Sequence, residues 1–188
     1  MKPPKTNKIK RVSKDQWLIK ALDTLESSGV EAVKIERLAK GFGISRSGFY
    51  WHFKNRRDLL DHLLDYWVSK YTDVVTDNPD LLRLDPKKRL LNTMEMIRDK
   101  KLAKYDLAMT LWARLDPQVN RVVKKVVKMR LDYLRAIFAE LGFDGDELEM
   151  RTRLFVCYHS WEDTVFPDLS NQKHSKLLKL RHKYLIQK

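Results

Sequence analysis

The stretch VKIERLAKGFGISRSGFYWHFKNRRDL, residues 33–59, decides both the fold and the main functional hypothesis. Apolar residues recur at helical spacing in its first part: Ile35, Leu38, Ala39 and Phe42. Gly43 follows them, and a second helix then begins at Ser45, which we predict to be its cap. A helix, a tight glycine turn and a second helix are typical of a helix-turn-helix, in which the second helix enters the major groove of DNA.

The second helix divides into an inward and an outward set. Phe49 and Phe53 are spaced i, i+4, which predicts that they are buried against the two preceding helices. That leaves a polar set facing outward: Ser45, Arg46, Ser47, Gly48, Tyr50, Trp51, His52, Lys54 and Arg56. Arg46 can bond a guanine edge through two N–H groups, and Ser47 can contact a base or a phosphate. Gly48 removes side-chain bulk, so the backbone can approach the groove closely.

The remaining outward residues have the chemistry of backbone contacts. We predict that four of them bind phosphate oxygens: Tyr50, His52, Lys54 and Arg56. Periodicity alone leaves an alternative open, namely an amphipathic helical hairpin whose basic side chains simply face water.

The motif Phe49-Tyr50-Trp51-His52-Phe53-Lys54-Asn55-Arg56 resembles the end of the DNA-binding domain in the tetracycline-repressor-like (TetR) family of transcriptional regulators. The resemblance extends over about residues 13–60 and includes the turn Gly41-Phe42-Gly43-Ile44. It implies that Tyr50, His52, Lys54 and Arg56 touch the DNA backbone or nearby bases, while Arg46 and Ser47 read sequence.

Lys34 is a departure from the family pattern, which has a threonine capping the first helix of the motif. A lysine side chain cannot accept the hydrogen bonds of a helix cap. The resemblance therefore does not carry over a cap-mediated phosphate contact at this helix end, although Lys34 can still contact a phosphate by charge.

The charge of the whole chain supports a polyanionic partner. The 188 residues have a formal net charge of +13, and residues 1–60 hold 14 Lys and Arg against six Asp and Glu. Charge alone does not separate DNA from an anionic membrane surface. With six Gly and six Pro in the chain, an all-β fold is disfavoured.

Capping signals along the chain predict an all-α protein of roughly nine helices. Ser13 and Gln16 form a capping box, Asn55 precedes a helix to about Val75, and Asp85-Pro86 and Asp116-Pro117 open two more. Later helices fit residues 146–165 and 171–187. We expect three parts: a flexible basic arm over residues 1–12, a helix-turn-helix DNA-binding domain over 13–56, and a regulatory and dimerisation body over 57–188.

The helical body offers candidates for a dimer interface and for a ligand pocket. Apolar stripes on its last two helices predict an interface that contains Leu148, Phe155, Tyr158, Val165, Leu177, Leu180 and Tyr184. Large side chains predict a pocket lined by Trp67, Met94, Trp112, Tyr133, Phe155 and Trp161. Both sets are also compatible with plain intrachain core. Glu162 and Asp163 could meet a cationic ligand if they face inward.

The sequence contains no motif that indicates catalysis or metal binding. The five histidines include no i, i+4 pair, and the chain has neither a glycine-rich phosphate loop nor a nucleophile motif, so we propose no catalytic residue, metal or cofactor. Cys157, the lone cysteine, lies in an apolar run that predicts a buried thiol. Without a secretory signal or an apolar run of membrane-spanning length, we expect a cytoplasmic protein that does not enter a membrane.

These observations predict a homodimeric, ligand-responsive transcription factor, expected to be a repressor, that binds a palindromic operator in double-stranded DNA. Its effector would be a small molecule of unknown identity. One alternative is a non-specific, basic architectural DNA-binding protein. Another is a helical protein that binds a membrane surface or a partner through the basic face Arg121, Lys124, Lys125 and Lys128.

Overall fold

The computed structural model describes residues 11–166 and 169–187, with the side chain of Asp163 outside that description. Its α-helices are α1 (Lys14–Ser28), α2 (Ile35–Phe42), α3 (Ser47–Tyr50), α4 (Arg56–Val68), α5 (Val74–Thr76), α6 (Pro79–Leu82), α7 (Pro86–Asp99), α8 (Asp106–Ala113), α9 (Pro117–Glu140), α10 (Gly145–Val165) and α11 (Asn171–Ile186). No strand occurs within the described ranges, and the all-α prediction is confirmed. Most of the predicted basic arm lies outside them, as do Pro167 and Asp168, which separate the last two predicted helices.

Contacts divide the chain into two compact units, one up to Leu63 and one from Leu64 onward. The division falls within α4, because this helix contributes residues to both units. The predicted boundaries of the arm, the DNA-binding domain and the body stay predictions.

Helix α1 begins with the capping box that its sequence predicts. The Ser13 hydroxyl accepts a hydrogen bond from the Gln16 N–H, and the Gln16 side chain accepts one from the Ser13 N–H. This reciprocal pair satisfies two N–H groups that the first helical turn leaves without partners. The helix ends before Gly29, which has a φ of 76°. Its inward face is buried: Trp17, Leu18, Ala21, Leu22 and Leu25.

The turn between α2 and α3 forms around Gly43, whose φ of 68° lies in the left-handed region. Glycine reaches this conformation without the steric penalty of a side chain. Lys34 precedes α2 and makes no side-chain cap bond, as predicted. The prediction that Ser45 caps α3 is wrong, because its hydroxyl bonds the Ser47 hydroxyl at 2.6 Å and Arg46 occupies the cap position without a side-chain bond.

Helix α4 is followed by a π-helical turn rather than by further α-helix. The Asn55 side chain accepts the Asp58 N–H at 3.0 Å and so starts the helix, as predicted. The predicted helix to about Val75 is instead interrupted over Ser69–Asp73, where a π turn precedes α5. Such turns contain one extra residue and often lie at functional sites.

Three helices of the body start with proline. Asn78, Asp85 and Asp116 each accept backbone N–H groups ahead of Pro79, Pro86 and Pro117. Proline fits the first helical position because its missing N–H would have no partner there. Helix α9 contains 24 residues and is therefore about 36 Å long.

The core of the body packs α7, α9, α10 and α11 together. It contains Leu90, Met94, Leu134, Ile137, Phe138, Phe143, Phe155, Leu178 and Leu185. Helix α10 directs Phe155 into this core and leaves Cys157 exposed. The prediction of a buried thiol is therefore wrong, since two positions along the helix turn the side chain to the opposite face.

Candidate nucleic-acid interface and ligand cavities

A cluster of aromatic rings packs against the buried side of α3. Phe49 packs edge-on against Trp17, with ring centroids 5.5 Å apart, and lies 5.2 Å from Phe53. Trp17 also meets Phe42 of α2 at 5.0 Å. Because Trp17, Phe49 and Phe53 are almost fully buried, the inward half of the predicted motif is confirmed. Edge-to-face ring pairs have defined geometry, so the cluster fixes how α3 sits on α1 and α2.

The outward half of the motif presents a polar and aromatic surface. Its exposed members are Lys34, Ser45, Arg46, Ser47, Tyr50, Trp51 and Lys54. Trp51 is the most open of the large apolar side chains here, with 86% of its surface exposed, while Tyr50 is 57% exposed. Because most of its indole stays in water, Trp51 removes little apolar surface from solvent and so contributes little to folding.

Arg46 has a partner that the sequence did not suggest. Its guanidinium donates to a Glu36 carboxylate oxygen at 2.8 Å, and both side chains are more than half exposed. The Glu36 N–H and then the Arg46 guanidinium lower the pKa of this carboxyl below its ordinary value. Glu36 lies in the first turn of α2, ten positions before Arg46, and so brings an acidic group into a basic surface.

His52 is half-buried and tied to the start of α1. Its Nε2–H donates to the Val12 carbonyl oxygen at 2.8 Å. This bond joins the end of the recognition segment to the residue just before the Ser13 cap. The phosphate contact of His52 stays a prediction. In this structure its Nε2–H already has the Val12 carbonyl oxygen as its acceptor.

Arg56 is also engaged within the protein. Its Nε donates to the Val33 carbonyl at 2.7 Å, and its Nη2 donates to the Val30 carbonyl at 2.6 Å. Both carbonyls belong to the segment that leads into α2. The side chain remains 37% exposed. Arg56 therefore holds the segment before α2 in place, a role that the sequence did not suggest.

Gly48 packs closely inside the motif. A Cβ atom at this position would lie 3.2 Å from Cδ1 of Ile44, which is tighter than most contacts of that kind. Glycine therefore removes crowding against the turn, in addition to leaving room for the backbone to approach DNA.

Two cavities lie in the helical body. The larger has a volume of about 330 Å³ and the smaller about 50 Å³. Tyr133 and Phe155 line the smaller cavity, and Trp67 and Trp161 line the larger. These four belong to the predicted pocket.

The other two residues of the predicted pocket lie elsewhere. Met94 is buried in the core with Leu90 and Phe138, and Trp112 is buried without lining either cavity. The prediction that Met94 and Trp112 line the pocket is therefore wrong, because large buried side chains more often fill a core than line a cavity. Glu162, half-buried, accepts from Arg181 and Tyr158, and the Asp163 side chain lies outside the described structure.

Both cavities share the ion pair between Arg130 and Asp106. The Arg130 guanidinium donates to both Asp106 carboxylate oxygens, one of them at 3.1 Å, and to the Thr72 hydroxyl at 3.1 Å. It also stacks over the Trp67 ring, 5.7 Å from its centre. Thr72 belongs to the π turn, so this arginine connects the cavity wall to that turn.

The predicted dimer residues divide into buried and exposed groups. Phe155 is 3% exposed and fills the core, which removes it from any interface. Leu148, Tyr158 and Leu177 are half-buried, while Val165, Leu180 and Tyr184 are exposed. The exposed face of α10 carries further apolar residues that the prediction missed: Met150, Leu154 and Trp161.

A polar cluster lies between α10 and α11. His159 stacks on Phe155, its Nδ1–H donates to the Phe155 carbonyl, and its Nε2 accepts from Arg181 at 3.2 Å. Burial, and then the charge of Arg181, lower the pKa of His159 to about 3. The imidazole is therefore neutral at physiological pH.

The described residues contain neither a metal-binding cluster nor a membrane-spanning helix. Within residues 11–166 and 169–187, no group of three or more His, Cys, Asp or Glu side chains is arranged to hold a metal ion. Over the same ranges, no helix combines the length and the hydropathy needed to cross a bilayer.

Sequence comparisons match the N-terminal unit. Residues 18–63 match the model of the family described as bacterial regulatory proteins, tetR family. The chain is 42% identical over 50 residues to the class A tetracycline repressor from transposon 1721 of Escherichia coli, covering 27% of this chain and 23% of that one. The class C repressor of Escherichia coli is 35% identical over 61 residues, or 32% and 28%. The chain thus matches less than a third of these relatives' length.

Comparison with solved structures extends over both units. The TetR family transcriptional regulator PfmR from Thermus thermophilus has a TM-score of 0.69 at 20% identity, covering 94% of this chain and 96% of that one. A transcriptional regulator from Rhodococcus sp. Rha1 has a TM-score of 0.66 at 18% identity, covering 93% and 94%. At these identities the likeness concerns the fold. Residues 18–63 thus match the DNA-binding domain of the tetR family of bacterial regulatory proteins, and the fold of the described chain is similar to that of these solved regulators.

Proposed function

We propose that this protein is a ligand-responsive transcriptional repressor that binds a palindromic operator as a homodimer. The observation that carries the proposal is the exposed surface of α3, held on a buried aromatic cluster and matched by the family model. The match covers one quarter of the chain, so the activity of the whole protein is inferred. Neither the architectural nor the membrane-surface alternative gains support from the comparisons. Acting on DNA would place the protein in the cytoplasm, and the family gives no reason to propose an enzyme.

The DNA contacts divide by chemistry. Arg46 and Ser47 would read base edges, because they lie at the exposed start of α3. Tyr50, Lys54 and Lys34 would contact phosphates, with Trp51 and the Gly48 backbone close to the groove. His52 and Arg56 would instead position the motif, since both side chains already donate to backbone carbonyls.

The exposed apolar residues of α10 and α11 support a dimer. On α10, Met150, Leu154, Trp161 and Val165 recur at helical spacing, and each is more than a third exposed. Leu180 and Tyr184 are exposed in the same way on α11. Exposed apolar residues repeated along a helix face are typical of association sites, and two such helices from each copy would form a four-helix interface.

A ligand in the cavities of the body would shift the population of dimers away from the DNA-bound state. Such a shift requires that the ligand bind the two states with different affinity. The ion pair of Arg130 and Asp106 would respond to such a ligand, because both residues line both cavities and Arg130 also bonds Thr72 of the π turn that follows α4.

The decisive experiment selects genomic fragments bound by the protein and searches them for a palindrome. Arg46→Ala is then compared with Tyr50→Ala on the operator and on single-base variants. We expect Arg46→Ala to lose discrimination at one base pair, worth about 1–3 kcal/mol, and Tyr50→Ala to weaken all sequences alike. Equal losses on operator and random DNA for Arg46→Ala would contradict its assignment as a base-reading residue.

The dimer has a separate test. Leu154→Glu and Val165→Glu place charges on the exposed face of α10, and both should yield monomers in sedimentation analysis. Lys173→Glu, on an exposed position of α11 without apolar character, is the matched control and should leave the assembly unchanged. Dimers that persist in both α10 variants would contradict the proposed interface.

A further inference from the structure

An acidic side chain lies on the surface that we propose to face DNA. Glu36 belongs to the first turn of α2, and its carboxylate accepts from the Arg46 guanidinium at 2.8 Å. Phosphates repel a carboxylate, so this charge weakens binding to every DNA sequence. The contact with Arg46 identifies what can offset that cost.

The pair contributes little to the stability of the free protein. The Arg46 and Glu36 side chains are 61% and 64% exposed. Water and salt screen an ion pair at such a surface, and its net contribution to folding is small. Bound DNA would exclude water from the same surface, where charges then interact more strongly. We therefore expect the pair to act in the complex with DNA.

The backbone holds the Glu36 carboxylate opposite Arg46. The turn at Gly43 brings the first turn of α2 against the start of α3, across ten positions of the chain. The positive end of the α2 dipole favours a carboxylate at this place. The Glu36 N–H, then the Arg46 guanidinium and more weakly Lys34 lower the pKa of the carboxyl, so it is ionised at physiological pH.

Pairing with Glu36 leaves Arg46 able to bind a guanine. A guanidinium has five N–H donors in one plane, and the bond from Nη1 to Glu36 uses one of them. The others still include two donors that can bond O6 and N7 of guanine together. A free arginine side chain loses entropy when it binds a base, whereas one that is already held near the bound orientation loses less.

We propose that Glu36 is a positioning residue for base recognition, which holds the Arg46 guanidinium in the orientation that bonds a guanine of the operator. This inference rests on the proposed function, because it assigns a specificity determinant to the same DNA-reading surface. Glu36 acts through Arg46 and does not itself bond a base. Where the guanine is replaced, the repulsion between Glu36 and the phosphates is no longer offset, so the pair also disfavours wrong sequences.

The test compares the full-length wild-type protein with Glu36→Gln, which keeps the shape of the side chain and removes its charge. Discrimination is the ratio of the dissociation constants for two DNA duplexes: the operator, and the operator with the guanine that Arg46→Ala identifies replaced. We expect Glu36→Gln to lower this ratio by about three- to tenfold, because Arg46 is no longer held in place. Binding to random DNA should not weaken, since a negative charge is lost.

Glu26→Gln is the matched control. Glu26 is exposed near the end of α1, in the same unit, so its replacement removes the same charge without touching the pair. This variant should keep the discrimination of the wild-type protein within about twofold.

A double-variant cycle tests whether Glu36 acts through Arg46. In the Arg46→Ala background, Glu36→Gln should change discrimination at this base pair by less than about twofold. If Glu36 bonded a base independently, its replacement would lower discrimination by the same factor in both backgrounds, and the proposal would be overturned.

Three other results would overturn the proposal while the wild-type protein still selects an operator, so the proposed function would stand. One is unchanged discrimination in Glu36→Gln. Another is improved discrimination in that variant, which would mean that Glu36 withholds Arg46 from DNA. The third is an Arg46→Ala variant that keeps full discrimination at every position. A wild-type protein that binds all fragments alike would instead contradict the proposed function, and this inference with it.

Discussion

Replacing Arg56 tests whether this side chain supports the motif or contacts DNA. Arg56→Met keeps much of the apolar stem and removes the donors to the Val33 and Val30 carbonyls, at 2.7 Å and 2.6 Å. Both carbonyls lie just before α2. Without Arg56, they must find water or remain unpaired, and the segment that leads into α2 loosens.

The size of the effect follows from the exposure of the side chain. A hydrogen bond to a charged group contributes about 1.5–3 kcal/mol when buried. Arg56 is 37% exposed, so water can replace part of what the two bonds supply. We therefore expect Arg56→Met to lower the free energy of opening in this unit by about 2–3 kcal/mol in total. Arg56→Lys should lose nearly as much, because one ammonium does not reproduce the two-donor geometry.

Amide hydrogen exchange measures the free energy of opening residue by residue. For a chain with two units, it is more informative than a single unfolding midpoint. The amides of Leu38 and Phe49 report on α2 and α3. Arg57→Met is the matched control, since the Arg57 guanidinium pairs with Asp61 inside α4. Its exchange should stay close to wild type, within about 0.5 kcal/mol.

The salt dependence of DNA binding separates the two roles of Arg56. A lost phosphate contact reduces the slope of log K against log salt by about 0.9. We expect affinity to fall in Arg56→Met with the slope unchanged. Wild-type protection of Leu38 and Phe49, together with a slope reduced by that amount, would refute the structural role and restore Arg56 as a phosphate contact.

Three further predictions concern stability. Because the pKa of His159 is lowered to about 3, its neutral form stabilises the fold fully above about pH 6.5, and this contribution falls as pH drops toward 3. Urea unfolding should therefore show about 2 kcal/mol less stability at pH 5. An equally large loss in His159→Gln would show that His159 is not the cause. Arg130→Met and Asp106→Leu should each cost about 3 kcal/mol, since each leaves a buried charge unpaired, and the double variant should cost less than the sum; strict additivity in denaturation would mean that the pair is not coupled. Gly43→Ala should cost about 1 kcal/mol because its φ is positive, and an unchanged melting temperature would contradict that strain.

The features predicted correctly from the sequence are those that nearby residues determine. Ser13 and Gln16 are three positions apart, and Asp116 directly precedes Pro117, so capping rules suffice for them. The spacing of Phe49 and Phe53 likewise identified the buried side of α3. Each of these depends on geometry within one or two helical turns.

The missed features depend on residues far apart in the chain. Arg56 reaches back 23 positions to Val33, and His52 reaches back 40 positions to Val12. Nothing in the local pattern distinguishes such an arginine from one that faces DNA. The pairing of Glu36 with Arg46 required the turn at Gly43 to bring two helices together, although an acidic residue in a basic motif was a visible signal.

Helix α10 shows a different limit. Its apolar residues are distributed around most of the helix, so periodicity did not separate the core side from the exposed side. Phe155 was assigned to a dimer interface and Cys157 to the core, whereas the structure has Phe155 buried and Cys157 exposed. The choice between the two faces depends on where α9 and α11 pack, which the sequence of α10 does not contain.

The π turn over Ser69–Asp73 also affects how chain length is compared among related proteins. A π turn accommodates one more residue than an α turn without changing which faces the flanking helical residues present. A relative could therefore lack one residue here and still continue as an unbroken α-helix. Alignments of this fold should accordingly permit a single-residue gap inside the helix, although gaps are ordinarily confined to loops.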